Sequence, residues 1–324
     1  MSETTKTYEL DKQVKIRTLL PLKKRGGTVG NTLIRIPRLW RYMFQTKNDA
    51  YVVMLPETTI LLLAFRHLTK SRIIAAERVD PAVYPNYLAK PLRYYARKAD
   101  GFVFQTEDAK KWYGESIKNI QTAVIPNAIN PSFIRPGYEG EREKTIAGVG
   151  RLNDQKNFSL LIKAFALIAD DFPDYRLVIY GEGEKRHDLE NLVREMGLSE
   201  RVSLPGNIQN IAEVLEKQSL FVLSSDFEGM PNALMEAMAL GLPCISTDCP
   251  CGGPRFLIRN NVNGVLVPVG DADALAKAMK QLLTEPDFSR EIATNAQTIQ
   301  KRLAPDKIYG QWESFIQRVI EETN

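Results

Sequence analysis

The stretch LFVLSSDFEGMPNALMEAMALGLPCIST, Leu220 to Thr247, holds a strand, a helix and a second strand in one short span. Leu220–Ser224 is a short apolar run of the kind a doubly buried parallel strand requires. Pro231–Leu240 reads as a helix that opens on proline and closes on Gly241, the residue types favoured at those two ends. Pro243–Thr247 is the next apolar run. One β-α-β unit of this kind implies a parallel sheet covered by helices.

The same alternation extends in both directions. Toward the C-terminus come a short strand at Gly264–Val267 and a helix over Ala272–Leu283. Toward the N-terminus the pattern predicts strands at Thr145–Val149, Arg176–Tyr180 and Val202–Leu204. Helices are predicted over Phe158–Ala169, Arg186–Glu195 and near Ile211–Lys217. Farther upstream the pattern is less regular, with strands expected at Val14–Leu19, Ala50–Met54, Ile73–Ala76, Gly101–Phe104 and Ala123–Ile125. Helices are expected over Leu33–Gln45, Thr59–Leu68, Leu88–Lys98 and Glu107–Trp112. The Pro- and Gly-containing run from Asn130 to Gly140 reads as a hinge. The expected organisation is therefore two Rossmann-like domains, 1–133 and 134–303, facing a cleft. A final amphipathic helix, 304–324, crosses back to the first domain.

Composition agrees with two globular α/β domains: 324 residues, 44 % hydrophobic and 25 % charged, with 20 Gly and 18 Pro. The polar start MSETTKTYELDKQ is no secretory signal, and the apolar run Tyr51–Phe65 is interrupted by Pro56 and Glu57. These features predict a cytoplasmic protein. Two histidines leave little for an imidazole metal site, and Cys244, Cys249 and Cys251 lack a fourth ligand nearby in sequence, so free thiols are expected. Net charge is +4, unevenly spread: residues 1–135 hold 23 Lys+Arg against 11 Asp+Glu, and residues 136–324 hold 20 against 28. A basic first half suits an anionic partner or is simply a solvated surface. Thr32–Phe44, TLIRIPRLWRYMF, interleaves Arg35, Arg38 and Arg41 with aliphatic and aromatic residues. That suits an anionic membrane surface, on the inner face of the cell membrane, or a helix packed on its own sheet. Pro37 places that helix start near Ile36.

In α/β sheets of this architecture ligands bind at the carboxyl ends of the strands. Gly150-Arg151 and Lys156 follow one strand and put two cations at a helix start, which suits a diphosphate. Glu228 and Glu236, eight residues apart, lie in a loop and about two turns along the following helix, where carboxylates accept hydrogen bonds from sugar hydroxyls. The N–H groups of Gly229 and Met230 are candidate receivers of a phosphate or sugar oxygen. Asp271-Ala272-Asp273 opens a helix after Gly270 and is better read as a cap than as a metal site. No catalytic base stands out, although Glu77, Arg78 and Asp80 in A-E-R-V-D-P are placed toward an acceptor.

These motifs together resemble family-4 glycosyltransferases of the GT-B fold, in their bacterial surface-polysaccharide branch. The resemblance rests on V-G-R-L-x-x-Q-K-N at Val149–Asn157, Y-G-E-G-E at Tyr180–Glu184 and E-G-M-P-N-A-L-M-E-A-M-A at Glu228–Ala239. The G-G-P turn at Gly252–Pro254 and N-x-N-G-x-L-V at Asn261–Val267 belong to it as well. Weaker matches are A-D-G-F-V-F-Q-T at Ala99–Thr106 and V-I-P-N-A-I at Val124–Ile129.

The resemblance implies a retaining, metal-independent transfer with no cofactor, from a nucleotide diphosphate sugar (UDP-linked) to a saccharide or lipid-linked saccharide, and no nucleic-acid partner. It assigns Arg151 and Lys156 to the donor diphosphate, Glu236 to the ribose hydroxyls and Glu228 to the transferred sugar. Gly150, Gly181, Asn207 and Ile208 would line the donor site, with backbone from Gly229, Met230, Pro231 and Asn232. Family members usually begin with a strand, a Gly-rich loop and a helix. Val14–Leu19 resembles a later strand, so the first domain is expected to be truncated, with a gap near the middle of its sheet. Gly26–Gly30 is a weak substitute for the missing phosphate loop. A catalytically impaired nucleotide-binding remnant or partner subunit is the second reading. A nicotinamide-dependent oxidoreductase would need a G-x-G-x-x-G after the first strand, which the chain lacks.

Overall fold

A computed structural model of the protein describes residues 28–46 and 48–321. The expected strand at Val14–Leu19 lies outside the described residues, as do Gly26 and Gly27. The described residues fall into two compact units: those up to Asp49 with His67–Ser71, and Ala50–Arg66 with Arg72 onward. In the first unit, α1 spans Thr28–Gln45 and holds Pro37 in its interior. The expected start near Ile36 is corrected, because the helix continues through the proline and forgoes the hydrogen bond its missing N–H would make.

The second unit holds two parallel sheets. In the first, β1 (Ala50–Val53), α2 (Pro56–Ala64), β2 (Arg72–Ala76), α3 (Asn86–Ala96), β3 (Gly101–Phe104), α4 (Glu107–Tyr113) and β4 (Gln121–Val124) alternate. The strands pair in chain order, β1-β2-β3-β4. The expected gap is absent among the described residues: β2 and β3 are bonded on both sides, and β1 and β4 are the edges. Each helix returns the chain beside the strand just made, so no position between neighbours is skipped.

The second sheet is built from β5 (Glu143–Val149), α5 (Phe158–Ala166), β6 (Arg176–Tyr180), α6 (Arg186–Glu195), β7 (Val202–Gly206) and α7 (Ile211–Leu215). It continues with β8 (Gln218–Leu223), α8 (Asn232–Ala239), β9 (Cys244–Thr247), α9 (Gly253–Leu257), β10 (Val265–Val267) and α10 (Ala272–Thr284). Its strand order is β10-β9-β8-β5-β6-β7, with the order reversing at β5, the switch point where such sheets bind ligands. Helices α11 (Pro286–Gln297), α12 (Ile299–Arg302) and α13 (Pro305–Glu321) close the chain.

Two apolar layers hold the second sheet. On one face Ile146, Leu177, Leu220 and Ile245 share a core with Leu161, Phe165, Leu275 and Met279. On the other, Phe221 and Leu223 share a core with Leu234 and Met238, and this core runs on through Ile74, Val103 and Ile125 of the first sheet to Ile308, Phe315 and Val319 of α13. Gly101 on β3 makes that approach possible, since a Cβ there would lie 2.8 Å from Val319 and 3.1 Å from Phe315. Continuous burial across both sheets sets the carboxyl ends of β2–β4 against the loop before α8.

Candidate active site

The loops after β5, β6 and β7 line an open cavity of about 340 Å³, within the range of ligand pockets. Its walls include Gly150, Arg151, Gly181, Asn207 and Ile208, five of the predicted donor-site residues. The floor is backbone packed on backbone. Gly150 N–H donates to Tyr180 O at 3.0 Å, and Gly181 N–H donates to Gly206 O at 2.9 Å. Gly181 sits at φ +143°, and a Cβ there would collide with the Gly150 carbonyl, so only glycine fits. Arg151 is exposed and has no side-chain partner among the described residues. A larger cavity, about 590 Å³, lies elsewhere, between Gly137–Arg142 and α11, and holds none of the predicted residues.

Lys156 ends the turn before α5, whose cap is Asn157 in the left-handed region at φ 42°. Its Nζ meets Glu228 Oε1 at 2.6 Å, with both side chains largely buried. Ser225 Oγ donates to the same oxygen at 2.7 Å. The pair thus joins the two predicted segments directly, and the remaining ammonium protons are available to an incoming oxyanion.

Glu236 stands differently. It is half-buried on α8 with no side-chain partner among the described residues, and burial alone pushes its carboxyl up to about 7. A desolvated carboxylate without donors is costly to the fold and is the arrangement a polyhydroxyl ligand would complete.

Two expectations are corrected. Met230 N–H is not free, because it donates to Gln105 Oε1 at 3.2 Å. Pro231 is the residue before α8 rather than its first, and the helix begins at Asn232. Glu77 is engaged within the fold: its carboxylate accepts from Tyr113 at 2.6 Å, Tyr84 at 2.7 Å and the N–H groups of Arg78 and Val79. Burial raises its pKa against those bonds. Asp80 accepts from Ala82 N–H at 2.9 Å as a cap. Asp271 also caps a helix, accepting from Ala274 N–H at 2.8 Å.

Sequence reasoning missed a polar bridge between the sheets. Asn127, after β4, accepts at Oδ1 from Gln105 at 2.7 Å and from Arg78 Nη2, and donates from Nδ2 to Asn232 Oδ1 at 2.7 Å. Gly229 packs on the Arg78 carbonyl and the Gln105 side chain so closely that a Cβ would fall under 3 Å from each. Arg78 is thus tied to the loop before α8. Gln105 and Asn127 lie in the two weaker upstream motifs, which were the signal available for them.

Comparison with known proteins agrees with this geometry. Residues 132–299 match the family model described as glycosyl transferases group 1. An exopolysaccharide phosphotransferase of Streptomyces coelicolor is 34 % identical over 83 % of this chain and 29 % of its own. A Campylobacter jejuni protein is named a GalNAc-alpha-(1->4)-GalNAc-alpha-(1->3)-diNAcBac-PP-undecaprenol alpha-1,4-N-acetyl-D-galactosaminyltransferase. It is 25 % identical over 96 % of this chain and 87 % of its own. The chain spans 65 % and 57 % of two uncharacterized glycosyltransferases, from Haemophilus influenzae and Methanocaldococcus jannaschii.

Among solved structures, sucrose-phosphate synthase from Thermosynechococcus elongatus superposes with a TM-score of 0.81 at 20 % identity, covering 92 % of this chain and 80 % of that one. Anabaena HepE in complex with UDP-glucose gives 0.80 at 17 % identity, covering 94 % and 86 %. The fold is GT-B. With half its length matched and the loops after β5, β6 and β7 assembled around one cavity, the chain belongs to the glycosyl transferases group 1 family.

Proposed function

We propose that the protein transfers a sugar, with retention at the anomeric carbon, from a UDP-linked donor to a saccharide or lipid-linked saccharide in cell-surface polysaccharide synthesis. The cavity at the ends of β5–β7 is the observation that carries this reading. It brings Gly150, Gly181, Asn207 and Ile208 beside the unpaired Arg151, with walls of backbone for a base and a cation for phosphate. Lys156 would share its charge between Glu228 and the diphosphate, stabilising the departing oxyanion. Glu228 would then turn toward the sugar, and Glu236 would accept from the ribose hydroxyls. The Campylobacter relative's undecaprenol-linked name and HepE's bound UDP-glucose support the classes of acceptor and donor. A lipid-linked acceptor sets the reaction at the inner face of the cell membrane.

The test is transfer from a panel of UDP-sugars to saccharide and undecaprenyl-diphosphate-saccharide acceptors, with the product's anomeric configuration read by NMR. The proposal expects a product whose configuration matches the donor and whose yield is indifferent to EDTA. Inversion would overturn the mechanism, and turnover only with non-UDP donors would overturn the donor assignment.

A further inference from the structure

Helix α3 turns toward solvent a face that donor chemistry leaves unused. Between Asn86 and Gln105 the chain carries Lys90, Arg93, Arg97 and Lys98, and one acid, Asp100. That acid is already engaged: it meets Arg66 at 3.0 Å and Arg72 at 3.5 Å and accepts from Ile73 N–H at 2.8 Å. The four cations are exposed and have no ion pair among the described residues. Tyr87 and Tyr94, 75 % and 55 % exposed, share a helical stripe with Lys90 and Arg97 at spacings of three and four. The Arg97 guanidinium lies 4.1 Å from the centre of the Tyr94 ring.

Neighbouring elements supply little counter-charge. The acid of α2 is Glu57, in its first turn. Beyond α3, Glu107 is the acid at the start of α4 without an ion pair among the described residues, while Asp108 is met by Lys111 at 3.5 Å and Glu115 by Lys118 at 3.4 Å. Cations near a helix C-terminus are favoured by the helix dipole. That explains Arg93, Arg97 and Lys98 but neither Lys90 at mid-helix nor two tyrosines left in water.

We infer that this face of α3 docks on an anionic lipid bilayer. Four cations without ion pairs among the described residues, three of them lying over aromatic rings, complement a negative headgroup layer, and the exposed tyrosines are residues of the membrane–water interface. Val79 and Val83, 40 % and 42 % exposed in the segment leading into α3, add apolar contact that a phosphodiester backbone would not use. The same segment carries Arg78, whose carbonyl abuts Gly229, so docking here brings the bilayer to the rim of the site. The inference rests on the proposed membrane setting of the acceptor.

Co-sedimentation with phosphatidylcholine vesicles, with and without phosphatidylglycerol, tests it. The parent should bind the phosphatidylglycerol vesicles alone, less as salt rises. Each cation near such a surface is worth about fivefold in affinity, so Lys90→Gln/Arg97→Gln/Lys98→Gln should bind roughly 100-fold more weakly. Tyr87→Ser/Tyr94→Ser should bind severalfold more weakly, and both variants should keep the parent's UDP affinity. Undiminished vesicle binding by the triple variant, equal binding to phosphatidylcholine, no binding by the parent, or tighter binding to single-stranded DNA would each overturn the inference. So would a loss of binding confined to Arg35→Gln/Arg38→Gln/Arg41→Gln in α1. A parent that binds vesicles but not UDP would sink the donor reading and leave the docking face standing.

Discussion

Replacing Glu236 with Gln should stabilise the donor-free protein while weakening its grip on the donor. In the folded chain burial pushes this carboxyl from 4.5 up to about 7, so between those values the native state holds a proton that the unfolded chain has released. A carboxyl raised in this way contributes stability at low pH, and that contribution is lost as pH rises through the folded value. At 1.36 kcal/mol per pKa unit the penalty is under about 1 kcal/mol near pH 5 and reaches at most about 3 kcal/mol near pH 8. Gln keeps the shape and has no charge to desolvate, so the variant's advantage should widen across that interval. Urea unfolding of both proteins at the two pH values, without ligand, measures it. Titration with a UDP-sugar near pH 8 should show the reverse order, with the variant weaker by about 1–3 kcal/mol for loss of a charged acceptor. An advantage that does not grow with pH would refute the buried, unpaired carboxylate. Equal donor affinity would refute the ribose assignment.

Other perturbations probe separate parts of the site. Lys156→Ala should destabilise by about 3–5 kcal/mol, because it strands the buried Glu228 charge, and Glu228→Gln in the same chain should recover most of that loss in thermal melts. Additive losses would show that the two are not coupled. Asn127→Ala removes the acceptor shared by Gln105 and Arg78 and the donor to Asn232, so a cost of about 1–3 kcal/mol is expected, with increased hydrogen exchange at Gly229–Asn232. Unchanged exchange there would separate the bridge from the loop. Gly181→Ala should abolish UDP binding by pushing the β6 loop off Gly150, and parent-like binding would show that the loops are not tightly apposed.

Much of the second sheet was legible because doubly buried strands read as apolar runs stopped by glycine. The bounds of β6 and α6, Arg176–Tyr180 and Arg186–Glu195, agree with the sequence reading at both ends. The helices missed have local causes. Gly252-Gly253-Pro254 reads as a turn, although Pro254 lies in the first turn of α9. Helix α11 buries only Ile292 and Ala296, too few apolar positions to announce a period.

The site divides along the same line. Glycines whose conformation the backbone demands, and carboxylates at fixed spacing, are visible in one dimension. The bridge through Asn127 is not, because its partners stand 22 and 105 residues away and only the packing of two sheets brings them together. The engagement of Glu77 is hidden for a related reason, since the two tyrosines that donate to its carboxylate include Tyr113, 36 residues on.

The proposed function makes the cavity beyond β5–β7 a nucleoside diphosphate site with Arg151 on its phosphates. Calorimetric titration of UDP and of uridine into the parent and into Arg151→Ala tests it most directly. UDP should bind the parent more tightly than uridine does, and Arg151→Ala should remove most of that difference while leaving uridine affinity nearly unchanged. Equal losses for both ligands, or no difference between them in the parent, would contradict it.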